Sequence, residues 1–341
     1  MSALVAGCWL TVAPARGVTI DWLEVGDANN AADTTGAPNP AGSVAEVFEI
    51  MKFEWTNSQY VEFLNAVDPD GSNPNDIYNA SMGSDIRGGI SFTAGASSGA
   101  KYAARANMGD KPVNFVSWFD AARVANWLHN GQAAGSTETG AYTLGGATSG
   151  NAPALNSGAL YFIPTEDQWY KSAYYKGGST NAGYWDYATQ SDTQPTGVTA
   201  NATGDGSAGS TGNFANYNGP DWNGSGSLDP PGNVTTVGTN GGPSAYGAYD
   251  MNGNVWELTS AAGGGFSSLT IRGGSWLDNN GTGLSSSSPF GPYDITTELY
   301  NVGFRLAAVP EPAAFAMALT GLACGFLMSR RRGLRLRGRD R

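Results

Sequence analysis

The chain has 341 residues, 49 of them glycine, and a formal net charge of −11 at pH 7. Seven of the 18 basic residues but only one of the 29 acidic residues lie in residues 329–341, which leaves 11 basic against 28 acidic residues elsewhere, a net charge of −17. Such an acidic body excludes nucleic acid as a partner and suits cations and neutral glycans.

The first fifteen residues have the composition of a signal peptide. Residues 3–13 are mostly small or apolar, and Ala13-Pro14-Ala15 has the A-x-A form of a cleavage site. We therefore expect a signal peptide over residues 1–15, cut after its last alanine. Because the usual basic residues at the start are missing, a buried first strand stays open as the alternative.

A lead-in segment is predicted over residues 16–43, and a main domain over residues 44–308. Three short helices are predicted in this domain, because polar capping sequences begin at Thr56, Ser117 and Thr165 and are each followed by apolar residues at helical spacing. Acidic residues in the first turn of a helix, such as those after Thr165, complement its dipole and need no catalytic explanation.

Regular structure is expected to be sparse between these helices. Residues 133–158 and 187–245 are long, polar and rich in glycine, whereas residues 302–307 alternate as in a strand. Loops of this length usually carry a function or need an ion to hold them. Few helices, short strands and long loops predict an α+β domain.

The C-terminal segment, residues 309–341, has three parts. The tripeptide Pro310-Glu311-Pro312 precedes an apolar run over residues 313–328, and the basic end begins with Arg330, Arg331 and Arg332. This arrangement resembles the PEP-CTERM sorting signal. The arginines are expected to hold the segment on the cytoplasmic side of a membrane.

The resemblance to this sorting signal implies a location and a partner. It implies cleavage by an exosortase-type sorting enzyme, transient anchoring in the inner membrane, and export to the cell surface or extracellular matrix of a Gram-negative bacterium. A plain C-terminal anchor is the alternative. Both readings place the domain outside the cytoplasm.

Six segments of the body resemble, in order, the formylglycine-generating enzyme (sulfatase-modifying factor) family. They are FEWTNSQYVEFLNAV from Phe53, KPVNFVSWFDAARVANWL from Lys111, IPTEDQWYKSAYYKGG from Ile163, YGAYDMNGNVWELTS from Tyr246, IRGGSW from Ile271 and NVGFRLA from Asn301. The resemblance covers roughly residues 44–307 and implies the family's fold, a variant of the C-type lectin fold. Within these motifs, Arg272 and Arg305 are expected to form buried ion pairs.

The redox chemistry of the family requires residues that this body lacks. The founding enzyme oxidises a sulfatase cysteine with a copper-binding cysteine pair between the GGSW and GFR motifs, which here is the interval 277–300 and has no cysteine. Both cysteines of the chain, Cys8 and Cys324, lie in its terminal segments. Cu(I) needs a thiolate ligand, which carboxylates and hydroxyls do not replace.

The iron-binding branch of the family uses three histidines, whereas His129 is the only histidine of this chain. It is expected to act at the end of a helix as a partner of the helix dipole. We therefore expect neither copper nor iron and no catalysis. The alternative is an oxidase, of the formylglycine-generating type or a related non-haem metal enzyme, that acts on exported sulfatases.

Structural calcium is also implied by the resemblance. One site would use the side chains of Asp250 and Glu257 with the carbonyl groups of Gly253 and Val255. A second would use Asn216 and Asp229 with the carbonyl groups of Tyr217 and Pro231. Calcium prefers such oxygen ligands. The alternative is that these polar residues only cap turns.

A ligand-binding face is expected in the interval where relatives keep their active site. Its residues would be aromatic and short polar side chains, namely Trp276, Asp278, Asn279, Phe290, Tyr293 and Tyr300. Such side chains on a rigid scaffold suit a glycan or a peptide. We therefore expect a calcium-stabilised module that binds exopolysaccharide or a surface protein, and a passive matrix component is the other possibility.

Overall fold

The computed structural model describes residues 17–310 except residues 133, 134 and 262. The predicted signal peptide and the sorting signal beyond Pro310 lie outside the described residues. The helices are α1 (Asn57–Val67), α2 (Ser81–Ser84), α3 (Trp118–His129) and α4 (Glu166–Tyr174). None of the helices among the described residues is both long and apolar enough to cross a membrane.

The three predicted helices are confirmed, and each begins with a reciprocal capping box. The side chains of Thr56, Ser117 and Thr165 accept a hydrogen bond from the backbone three residues on, and the side chain there accepts one from the cap. The predicted apolar stripe of α3 is too narrow, however, because every residue from Trp118 to Leu128 is buried. This helix is surrounded by the rest of the fold.

Twelve short strands are found among the described residues. They are β1 (Trp22–Val25), β2 (Phe48–Met51), β3 (Ile90–Phe92), β4 (Tyr102–Ala104), β5 (Tyr161–Phe162), β6 (Thr196–Gly197), β7 (Phe214–Ala215), β8 (Trp256–Leu258), β9 (Ser268–Arg272), β10 (Phe290–Asp294), β11 (Val302–Gly303) and β12 (Ala307–Ala308). With so few residues in helices and strands, the domain is of the expected α+β class with long loops.

Two four-stranded sheets organise the domain. The first has the order β1-β2-β12-β5 and is antiparallel, and the second has the order β10-β9-β8-β11, in which β8 and β11 are parallel. Because β1 lies within residues 16–43 and pairs along its whole length with β2, the lead-in segment supplies an edge strand of the domain. Two further pairs, β3 with β4 and β6 with β7, lie apart from these sheets.

The strand expected over residues 302–307 is instead two short strands in different sheets. We call residues 304–306, which join them, the crossing. β11 belongs to the second sheet and β12 to the first, so the chain passes from one sheet to the other over residues 304–306. Its backbone stays paired there, since the carbonyl groups of Phe304 and Leu306 accept from Trp55 and Met51. Every residue from 301 to 308 is buried, and the alternation in sequence therefore does not mark an exposed face.

Arg305 lies in this crossing and is fully buried with Glu257 of β8. Its Nε and Nη2 atoms each donate to one carboxylate oxygen at 2.6 Å, and its Nη2 also donates to the carbonyl group of Tyr249 at 2.8 Å. The indole of Trp169, on α4, donates to the same carboxylate at 2.7 Å. The buried ion pair expected for Arg305 is thus present and joins the second sheet, the crossing and a helix.

The buried ion pair expected for Arg272 is present as well. Its guanidinium is fully buried and reaches Oε1 of Glu166 at the start of α4, at 2.5 Å from Nη2. The guanidinium also lies 5.1 Å from the ring centre of Tyr170. The acid in the first turn of α4 therefore has a structural partner.

Replacing Arg305 by methionine is expected to destabilise the domain by about 3–5 kcal/mol, because Glu257 would keep a buried charge without a partner. The measurement is the midpoint and slope of urea unfolding. The matched control is Arg123→Met, whose guanidinium is equally buried but whose partner Glu138 keeps 22% of its side chain exposed. A loss for the Arg305 variant no greater than that for the control contradicts this account.

Candidate functional site

The six residues of the predicted ligand face do not all reach the surface. Phe290 and Asn279 are exposed, and Asp278 and Tyr300 are partly buried. Trp276 and Tyr293, in contrast, are buried at 0% and 5% exposure, and they pack in the core instead of forming part of an exposed face.

Trp276 is buried because it lies beneath a cation. The guanidinium of Arg87 stacks 5.1 Å from the Trp276 ring centre and 4.6 Å from that of Tyr300, and the two rings lie 5.6 Å apart. The same guanidinium donates to the carbonyl groups of Gly232 and Pro230. Trp276 and Tyr300 therefore anchor the neighbouring loops, and only part of Tyr300 faces outward.

The side chain of Asp278 lies in a small niche that exists because its neighbour, Gly283, has no side chain. Its Oδ2 accepts from the backbone nitrogen of Ser275 at 2.7 Å, whereas Oδ1 accepts no hydrogen bond from a described residue. A Cβ atom added to Gly283 would lie 2.6 Å from Asp278 Oδ1 and 2.8 Å from Trp256 Cζ2, so no larger residue fits between them. Burial raises the pKa of Asp278, although hydrogen bonds from Ser275 oppose this.

An exposed aromatic surface adjoins this niche. The ring of Phe290, which is 55% exposed, packs on Trp256 with ring centres 5.5 Å apart. We call Trp256, Asp278, Asn279, Gly283 and Phe290 the Asp278 site. The sequence indicated three of these residues; Trp256, the fourth, is a buried core residue at 8% exposure, and Gly283 was not expected at all. The close approach of Gly283 to both Asp278 and Trp256 is a tertiary contact that no local pattern reveals.

In the first predicted calcium site, the carboxylates of Asp250 and Glu257 accept hydrogen bonds from different protein groups. Asp250 accepts from the backbone nitrogen of Gly238 at 2.6 Å and from Asn240 at 2.8 Å, while both oxygens of Glu257 accept from Arg305. The guanidinium of Arg305, 2.6 Å from each oxygen of Glu257, repels any second cation that would bind this carboxylate. These residues therefore fit an arginine-centred network better than a calcium site.

Glu54 joins the same buried network. It accepts from Asn254 Nδ2 at 2.7 Å and from the backbone nitrogen of Val255 at 3.2 Å. Burial raises the pKa of Glu54 well above its usual range, and the negative charges of Asp250 and Glu257 add to the rise. Burial also raises the pKa of Asp250. Three buried carboxyl groups thus surround one arginine, Arg305.

The second predicted calcium set is built around Asn216. Its Nδ2 donates to Thr235 Oγ1 at 2.7 Å and to Asn254 Oδ1 at 3.0 Å, but its fully buried Oδ1 accepts from no described residue. Asp229 and Pro231 are exposed in the loop that follows, and Tyr217 is 9% exposed. A buried amide oxygen without a donor is the kind of group that a cation satisfies.

The residues available for redox chemistry are few. Among residues 17–310, apart from 133, 134 and 262, no group of three or more histidine, cysteine and acidic side chains has the arrangement to hold a metal ion. His129 is the last residue of α3, as expected, and its Nδ1 accepts from the backbone nitrogen of Leu160 at 3.3 Å. The one imidazole thus already takes part in a hydrogen bond.

Comparison with known proteins identifies the class of this domain. Residues 18–309 match the model of the sulfatase-modifying factor enzyme 1-like domain. Because this match covers most of the chain, the chain belongs to the sulfatase-modifying factor family. No curated protein is significantly similar to it in sequence.

Solved structures support the same fold. Variable protein 1 of Treponema denticola is 21% identical with a TM-score of 0.51, over 86% of this chain and 96% of that protein. CarF is 22% identical with a TM-score of 0.50, over 86% and 99% of the two chains. PvdO from Pseudomonas aeruginosa is 16% identical with a TM-score of 0.44, over 90% and 100%. The first two similarities establish the fold and say nothing about activity.

Glu298, in the loop between β10 and β11, has a raised pKa that can be tested by experiment. Glu298 accepts a hydrogen bond from Asn79, and burial together with the nearby Asp120 raises its pKa from 4.5 to about 7. Since the folded state then binds more protons than the unfolded state between these values, stability falls as pH rises through that window.

Glu298→Gln is therefore expected to raise the melting temperature at about pH 8 and to flatten its pH dependence from about pH 5 upward. Thermal unfolding followed by circular dichroism measures both effects. Glu46→Gln, on an exposed residue, is the control. Parallel curves for the wild type and the Glu298 variant contradict the assignment.

Proposed function

We propose that this chain is a non-catalytic member of the sulfatase-modifying factor family that binds neutral glycan at the bacterial cell surface. The proposed binding surface is the Asp278 site. Support comes from one observation above the others: between the GGSW and GFR motifs, the chain offers the carboxylate of Asp278 and the exposed ring of Phe290, and no thiol.

The donor atoms of the body argue against the oxidase alternative. Residues 17–310 contain no cysteine, and their one histidine accepts a backbone hydrogen bond. Copper and iron oxidases of this family need thiolate or several imidazole ligands, as argued above, and Asp278 provides neither. The site is therefore suited to holding a ligand rather than to oxidising one.

The chemistry of the Asp278 site favours a neutral sugar. The exposed ring of Phe290, supported from beneath by Trp256, offers an apolar surface on which the CH groups of a sugar ring can pack. Asp278 Oδ1 and the exposed amide of Asn279 are free to take part in hydrogen bonds with hydroxyl groups. A polyanionic polysaccharide is disfavoured by the net charge of −17 on the body.

The proposed location rests on the two termini. A signal peptide over residues 1–15 would start export, and residues 309–341 would be recognised by an exosortase-type enzyme after a transient stay in the inner membrane. The body would then be released into, or attached to, the cell surface or extracellular matrix. There it would meet exopolysaccharide, the ligand we propose.

A structural calcium ion is proposed for the set around Asn216. Asn216 Oδ1 and Asp229, with the carbonyl groups of Tyr217 and Pro231, would hold it and fix the long loop that follows β7. The unpartnered oxygen of Asn216 supports this assignment. We do not extend it to Glu257, because Arg305 already neutralises that carboxylate.

Glycan binding is tested by retention of the purified protein on exopolysaccharide from the native host. Phe290→Ala is expected to lower the affinity on the order of tenfold without changing the melting temperature, because most of that ring is exposed. Phe92→Ala is a matched control, since Phe92 is 39% exposed and also packs on aromatic rings. Equal retention of both variants contradicts the proposed surface.

Calcium binding is tested by thermal unfolding with and without added calcium. A saturating excess is expected to raise the melting temperature by several degrees, as for any ligand that binds only the folded state. Asp229→Asn should remove most of this increment, whereas Asp21→Asn, on an exposed residue of another segment, should leave it unchanged. No increment in the wild-type protein rules the site out.

A further inference from the structure

A cleft separate from the Asp278 site opens between the start of α4 and the second sheet. It has a volume of about 370 Å³. Glu166 lies at one side, and Ser260, Ser268 and Thr270 line its walls, although the side chain of Ser260 already bonds to Tyr142. Phe266 and Pro292 supply apolar surface. None of these residues belongs to the predicted ligand face.

The elements around the cleft hold it rigidly. The backbone nitrogen of Glu166 donates to the carbonyl group of Ser260 at 3.2 Å, and Ser260 donates back to Pro164 at 2.9 Å. The ring of Phe266 packs edge-on against Trp118 of α3 at 5.8 Å. Because Ser268 and Thr270 lie on the paired strand β9, the walls are formed before any ligand arrives.

The carboxylate of Glu166 keeps one oxygen available as a hydrogen-bond acceptor, while Arg272 neutralises its charge. Its Oε1 accepts both hydrogen bonds from Arg272, at 3.0 Å and 2.5 Å, and its Oε2 accepts from no described residue. The guanidinium balances the carboxylate charge, so that the free oxygen offers a strong hydrogen bond to a neutral hydroxyl group rather than a site for a cation.

We propose that this cleft binds one or two sugar rings of a neutral saccharide. A volume of 370 Å³ lies at the lower end of the range for small-molecule sites, about 300–1,000 Å³. The apolar face of a sugar ring would pack on Phe266 and Pro292, and its hydroxyl groups would bond to Glu166 Oε2 and to the side chains of Ser268 and Thr270. The proposal concerns the same ligand class as the proposed function but depends on different residues.

The experiment is ligand-observed saturation-transfer NMR on the purified protein, with the methyl glycosides of glucose, galactose and N-acetylglucosamine as probes. At least one glycoside should bind with a dissociation constant on the order of 1 mM. To remove the contribution of the Asp278 site, the comparison is made in the Phe290→Ala background. There Ser268→Trp, which fills the cleft from an exposed strand position, should abolish the signal.

Ser267→Trp is the matched control, because Ser267 is exposed beside Ser268 but does not line the cleft. It should keep the signal, and so should Phe290→Ala, which separates this cleft from the Asp278 site. Melting temperatures establish that each variant is folded.

Three results would overturn the proposal. They are no binding of any glycoside to the wild-type protein, an unchanged signal in the Ser268 variant, and binding of tetramethylammonium in place of the sugars. If the protein fails to bind exopolysaccharide but binds a glycoside here, the proposed function fails and this cleft stands.

Discussion

The bidentate pairing of Arg305 with Glu257 is the interaction on which the rest of this domain depends. Arg305 lies where the chain passes from one four-stranded sheet to the other, and it reaches the carbonyl group of Met51 in the first sheet as well as Glu257 in the second. Burying two charges is costly unless their hydrogen bonds are complete, and here Trp169 and Tyr249 complete them. A domain with little regular structure is thereby fixed at its centre by polar contacts.

The binding function that we propose would need this scaffold but not the redox residues of the family. The scaffold needs the buried arginines, the capped helices and the paired strands, all of which this chain keeps. The segment between β9 and β11 carries Asp278 and Phe290, which we propose to bind the ligand. Cavities and aromatic surfaces on a rigid frame are sufficient for binding.

The sequence predicted what local rules determine. Capping boxes specified where three helices begin, and the scarcity of basic residues indicated that Arg272 and Arg305 would be buried in ion pairs. It did not predict that residues 302–307 divide between two sheets, because the partners of β11 and β12 are distant in sequence. The burial of Trp276 under Arg87 was missed for the same reason, and so was the cleft, whose walls come from residues 166, 259–261, 266, 268–270 and 292.

The claim that this body binds rather than oxidises is tested most directly by a turnover measurement. The purified protein, loaded with copper or with iron, is given a cysteine-containing sulfatase peptide, and oxygen consumption and the mass of the peptide are followed. We predict no turnover above that of the free metal, because the body has no thiolate and one engaged imidazole. Stoichiometric conversion of the cysteine to an aldehyde would contradict the account.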